Sequence, residues 1–107
     1  MTALGDLEQS VLLGILTEGT QAFALEVRSE IERSTGRGVS RGAFYTTLER
    51  LERKGLVTWK PSQPQDSRRT GSQRLFSVTP QGLDALRSTE AELKRRWASL
   101  ARVLEDL

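Results

Sequence analysis

Apolar positions along the chain fall into blocks of different period. In the first block Leu7, Val11, Leu12, Ile15 and Leu16 recur at i, i+4, i+5, i+8 and i+9, one stripe of an amphipathic helix over Asp6–Glu18. Asp6 with Gln9 three residues on has the pattern of a capping box, and Gly19 stands where a helix terminator belongs. Gly14 inside the stripe costs about 1 kcal/mol relative to alanine, which points to close packing against a neighbour. The second block, from about Ala22 to Thr35, repeats Phe23, Val27 and Ile31 every four residues and stops at Gly36. In the third, Ser40 is the expected N-cap, with Val39 and Phe44 placed as a hydrophobic staple. Phe44, Leu48 and Leu51 give its inner stripe. Gly55 follows Arg53 and Lys54, two cations suited to the negative end of the helix dipole.

The period then changes. Leu56 to Lys60 is β-branched and aromatic, the composition of a strand, and Arg74 to Val78 reads as its returning partner. Between them residues 61–73 form a long polar hairpin tip that contains Pro61, Pro64, Asp66 and Gly71 and carries Arg68 and Arg69. Thr79 as N-cap with Pro80 at the first helical position opens a final helix that runs nearly to the end. Along it Leu86, Leu93, Trp97, Leu100, Leu104 and Leu107 keep a heptad rhythm broken at Glu90, which predicts a seam against another helix. A fold back onto its own domain is the competing arrangement. Three helices followed by a hairpin is the order of a winged helix-turn-helix, a mainly α (α+β) fold. Residues 1–79 would form the winged domain and residues 80–107 a C-terminal dimerisation helix.

Composition narrows the chemistry. The chain has 107 residues, no cysteine and no histidine. A disulfide scaffold, thiol catalysis and thiolate metal sites are therefore excluded, and the commonest general base is missing. No close constellation of carboxylate, lysine and tyrosine replaces it, so neither an enzyme nor a cofactor is expected. No apolar run reaches the ~18 residues of a membrane helix. Asp6 and Glu8 interrupt the opening stretch, which argues against a signal peptide and for a cytoplasmic protein. A core this small gains from burial against a second copy. Charge is unevenly spread: residues 1–36 hold six acids and two bases, residues 37–79 nine bases and three acids, and residues 80–107 five of each. The cationic middle third coincides with the third helix and the hairpin, which points to a polyanionic partner.

In a winged helix-turn-helix the third helix enters the major groove N-terminus first, while the wing reaches the backbone or minor groove. On a helical wheel Gly42, Thr46, Glu49 and Arg53 lie opposite the Phe44 stripe, with Tyr45 and Arg50 on the flanks. The candidate DNA-binding residues are Ser40, Arg41, Gly42, Tyr45, Thr46 and Arg50 on this helix and Lys60, Arg68, Arg69 and Arg74 on the wing. The partner they suit is double-stranded DNA. Leu86, Leu93, Trp97, Leu100 and Leu104 are the candidate homodimer interface. Trp97 either packs that seam or, with its symmetry mate, walls a slot for a small aromatic effector. Glu49 and Glu52 support a different reading, a winged-helix protein–protein interaction module that binds no nucleic acid.

Three stretches also resemble the PadR family of transcriptional regulators. They are Leu4 to Leu16 (LGDLEQSVLLGIL), Val39 to Val57 (VSRGAFYTTLERL followed by KGLV), and Leu75 to Gly82 (LFSVTPQG). The resemblance covers nearly the whole chain in the right order. It implies a dimeric repressor whose winged domains bind an inverted repeat and whose last helix, with help from the first, forms the dimer. It also implies phenolic or drug-like aromatic effectors. Ala24 and Leu25 depart from the glycine and tyrosine common in the family, and the single last helix resembles the short-tailed subgroup.

Overall fold

The computed structural model describes residues 4–62 and 73–107. Its elements run α1 (Asp6–Glu18), a 3-10 turn (Gly19–Gln21), α2 (Ala24–Thr35), α3 (Arg41–Arg53), β1 (Val57–Ser62), β2 (Gln73–Val78) and α4 (Pro80–Glu105). This is the expected winged helix-turn-helix with a long last helix. Val11, Leu12 and Ile15 of α1, Val27 and Ile31 of α2, and Phe44, Leu48 and Leu51 of α3 close on one another, capped by Val57 and Phe76 of the hairpin. Gly14 is where α1 and α2 come closest. A Cβ there would lie 3.2 Å from Val27 Cγ1 and 3.5 Å from the Val27 carbonyl oxygen, so the helix propensity lost at glycine is exchanged for a tight crossing.

The start of α1 differs from the expected Asp6–Gln9 box. Gly5 is the N-cap. The Glu8 carboxylate reaches back to accept from the Gly5 N–H at 2.9 Å, and Gln9 Nε2 donates to the Leu4 carbonyl at 3.1 Å. The cause is tertiary: Lys54, at the far end of α3, donates to Glu8 Oε2 at 2.7 Å and draws this side chain inward. Glu8 is only 6 % exposed. Burial raises its carboxyl pKa, but the Lys54 hydrogen bond, the Gly5 amide and the charges of Lys54 and Arg50 outweigh that and hold it below the ordinary value.

The second helix begins at Ala24, later than the Ala22 expected from periodicity. Ala22 and Phe23 are occupied otherwise. The Ala22 carbonyl accepts from Phe76 N–H at 2.9 Å, and Phe23 makes an isolated antiparallel bridge with Leu75. The segment before α2 thus serves as a one-residue third strand, too short to leave a period-two signal. The hairpin itself is antiparallel, with Val57 opposite Val78, Trp59 opposite Phe76 and Pro61 opposite Arg74. It extends past Lys60 to Pro61 and Ser62, which the sequence placed in the loop. Proline fits there because β1 has β2 as its one partner in the sheet.

At the base of the wing three elements converge. Gly55 adopts φ +76°, which lets the chain leave α3 sharply. Thr79 Oγ1 donates to the Gly55 carbonyl at 2.6 Å and accepts from the Gly82 N–H at 3.0 Å, and the Thr79 N–H donates to Leu56 O at 3.0 Å. A Cβ on Gly82 would sit 2.3 Å from Leu56 O and 2.6 Å from Val78 Cγ1. Beyond this junction α4 projects away from the domain and stretches the molecule to 59 Å in its longest dimension. No helix among the described residues is long and apolar enough to cross a membrane.

Two predictions follow from these contacts. Gly82→Ala forces its methyl against backbone, and urea titration should show a loss of ~2 kcal/mol or more. Lys54→Met leaves the buried Glu8 carboxylate without its cation. It should cost ~2 kcal/mol near neutral pH. Because the folded-state pKa of Glu8 lies below its ordinary value of 4.5, the stabilisation is complete above that value and is lost as pH falls through the folded one. The gap between wild type and Lys54→Met in urea midpoint should therefore shrink on acidification; a pH-independent gap would show that the ion pair is not its source.

Candidate nucleic-acid interface

The turn that delivers α3 is held from behind by α2. Gly36 ends α2 in the left-handed region at φ +69°. Arg28 Nε then donates to the Val39 carbonyl at 2.9 Å, which fixes the approach to Ser40. Ser40 caps α3 as expected, its Oγ accepting from Ala43 N–H at 3.1 Å, an interaction worth about 1 kcal/mol to the helix. Phe44, Leu48 and Leu51 are buried, and so is Thr47, which the apolar pattern did not single out. With this stripe anchored, Arg41, Gly42, Tyr45, Thr46, Glu49, Arg50 and Arg53 are all exposed.

The outward face of α3 does not stand alone. Between it, the start of α2 and strand β2 lies a cleft of about 590 Å³. Arg41, Tyr45 and Glu49 line one wall, Arg74 and Phe76 the other, and Leu25 and Glu26 the end. The Tyr45 ring meets Phe44 edge-on, with centroids 5.4 Å apart at 82°, which anchors an exposed aromatic to a buried one. Arg41 lies over Tyr45 at 5.8 Å, and Arg74 over Trp59 at 4.5 Å. A Cβ on Gly42 would meet nothing within 4 Å among the described residues, so the fold itself does not call for glycine there. Two guanidinium groups on opposite walls, an exposed capped helix end between them and a tyrosine hydroxyl make a surface suited to backbone phosphates and base edges.

The family model for PadR-like transcriptional regulators matches residues 12–88. The chain belongs to that family. PadR-like proteins are DNA-binding regulators and not enzymes. Solved structures agree on the fold. A PadR-family regulator from Clostridium difficile superposes with a TM-score of 0.74 at 20% identity, covering 94% of this chain and 99% of that one. A PadR-like factor from Bacteroides fragilis gives 0.72 at 18%, covering 91% and 88%. One from Bacillus cereus gives 0.72 at 18%, covering 92% and 90%. A comparison with curated proteins returns no match.

In this PadR-like chain the candidate contact residues separate into groups. Arg41, Tyr45 and Arg74 come together at the cleft, and Ser40, Gly42 and Thr46 share the exposed α3 surface. Arg50 does not line the cleft, and its charge acts on Glu8. Lys60 is exposed on β1. Arg68 and Arg69 lie outside the described residues. Two neighbours of the cleft escaped the sequence reading. Leu25 is exposed on α2 and lines the end of the cleft, a place that its spacing along the helix does not signal. Trp59 was read only as a strand former, since nothing in a period-two pattern tells which cation will lie over its ring.

Arg41→Ala should weaken binding to duplex DNA and lower the slope of log affinity against log salt by ~1, the signature of one lost phosphate contact. Anisotropy titrations across a salt series read both quantities. An unchanged slope would place Arg41 off the backbone.

Proposed function

We propose that this PadR-like regulator works as a homodimeric repressor, occupying an inverted repeat in a promoter and released by a small aromatic effector. The observation that carries the dimer is the uncovered face of α4. Leu93, Trp97, Leu100 and Leu104 are all exposed, Trp97 to 64 %. Leu93 and Trp97 of this face, with Leu13 and Leu16 of α1, which are exposed as well, wall an apolar groove of about 860 Å³ that also takes in Leu83, Leu86, Ala98 and Ala101, and Leu100 and Leu104 continue the apolar face beyond it. Open apolar surface of this extent along a helix that leaves its domain favours burial against a like surface, and a two-fold pair of such helices is self-complementary. Leu86 has a divided role. It is half-buried against its own core while it borders the groove, so the seam is carried mainly by the residues from Leu93 onward.

A dimer also suits the chemistry of the target. One winged domain buries a small area on DNA, whereas two fixed at a set spacing add their half-site energies and impose the symmetry of the site. The groove volume suits a small aromatic ligand, and Trp97 supplies a flat wall for it.

Leu93→Asp and Leu100→Asp should each yield monomers in sedimentation velocity and abolish preference for the cognate site. That preference is measured by anisotropy with DNA from upstream of the protein's own gene against a scrambled duplex, where the wild type should discriminate by ~1,000-fold or more. Dimers that survive both substitutions would move the interface away from this face. Equal binding of the two duplexes by wild type would place the operator elsewhere.

A further inference from the structure

The wing presents its one described cleft cation, Arg74, in an unusual setting. Arg74 is opposite Pro61 in the ladder, and Trp59 is opposite Phe76, so Trp59 and Arg74 are diagonal neighbours on one face of the hairpin. That face begins at the core with Val57, Val78 and Phe76 and runs outward, and Trp59 and Arg74 are where it emerges from the core. The Arg74 guanidinium lies over the indole with 4.5 Å between its central carbon and the ring centroid, closer than Arg41 lies to Tyr45. Trp59 is 40 % exposed and does not line the cleft, whereas Arg74 does. The ring is not part of the buried core cluster, and it lies against a cation that does line the cleft.

We propose that Trp59 is a positioning residue for DNA binding, its indole face holding the Arg74 guanidinium at the cleft rim so that wing and α3 engage one duplex. Arginine loses much rotamer freedom when it fixes a phosphate. A cation already lying on a ring has lost part of that freedom before the duplex arrives, and the ring leaves its N–H edges free to donate. The charge that meets the phosphate belongs to Arg74; the indole decides where it waits. This inference rests on the cleft's being the DNA-binding face.

The test is a double-mutant cycle read by anisotropy with a fluorescein-labelled mixed-sequence duplex at several salt concentrations, since backbone contacts do not depend on sequence. Trp59→Leu should weaken binding about 2- to 10-fold with the salt slope unchanged, because the cation is still there but is no longer held. Arg74→Ala should weaken binding and lower the slope by ~1. In the Arg74→Ala background Trp59→Leu should have no further effect. Trp59→Phe, which keeps a π face, should recover part of the loss, and thermal unfolding of each variant should match the wild type. Wild-type affinity for Trp59→Leu, equal losses with and without Arg74, or Trp59→Phe no better than Trp59→Leu would each overturn the proposal while leaving the cleft as the DNA face. A wild-type protein that binds no duplex even at low salt would overturn both.

Discussion

The approach of Gly82 to the Leu56 carbonyl governs the geometry of everything this protein presents to its surroundings. At that point the end of α3, the base of the wing and the first turn of α4 are pressed together with no room for a methyl group. Thr79 bonds in both directions across the contact, to Gly55 behind it and to Gly82 ahead. The angle between α3 and the hairpin sets the cleft that holds Arg41 and Arg74. The direction of α4 sets where its apolar face points. Both angles are fixed by one junction of backbone on backbone, which deforms less readily than side-chain packing. The Lys54–Glu8 pair reinforces it from the other side by tying the last turn of α3 to the first turn of α1.

The chain divides its apolar residues between two surfaces. One set closes the small core of α1, α2, α3 and the hairpin base. The other, along α1 and α4, stays open. The division within α1 is sharp: Val11, Leu12 and Ile15 are buried while Leu13 and Leu16, one or two residues away, face outward into the groove. A helix that is apolar on more than one side has more than one neighbour to satisfy. In α1 the first neighbour is the domain's own core, and the second surface is the one shared with α4.

Most of the fold was legible because local signals and tertiary packing agree. Ser40 and Thr79 cap the helices they precede, Gly36 and Gly55 take positive φ at the ends expected of them, and the stripe through Phe44, Leu48 and Leu51 is buried. The misses occur where a distant residue decides a local outcome. Asp6 has the local chemistry of a cap, but Lys54, 46 residues from Glu8, draws Glu8 into that role. Ala22 and Phe23 have the spacing of a helix, but Phe76 bonds to the Ala22 carbonyl and Leu75 pairs with Phe23, which is held extended. Gly82 reads as part of a helix opening, and only the carbonyl of Leu56 shows why no larger residue fits. The cleft is legible in part for the same reason. Arg41 and Tyr45 are apparent from the face of one helix, whereas Arg74 on Trp59 depends on strand register.

The charge pattern illustrates how position outranks count. Residues 37–79 carry a clear excess of bases, yet the cations there do different work. Lys54 is bound to Glu8 and steadies the fold, and Arg50 adds its field to the same carboxylate. Arg41 and Arg74 instead lie over aromatic rings on opposite walls of one cleft. An ion pair neutralises a cation and withdraws it from a polyanion, while a π face attracts it and leaves its charge intact. The two arginines over rings therefore keep full charge and a restricted range of positions together. That combination, more than the net charge of the segment, distinguishes Arg41 and Arg74 in a cleft that the carboxylates of Glu26 and Glu49 also line.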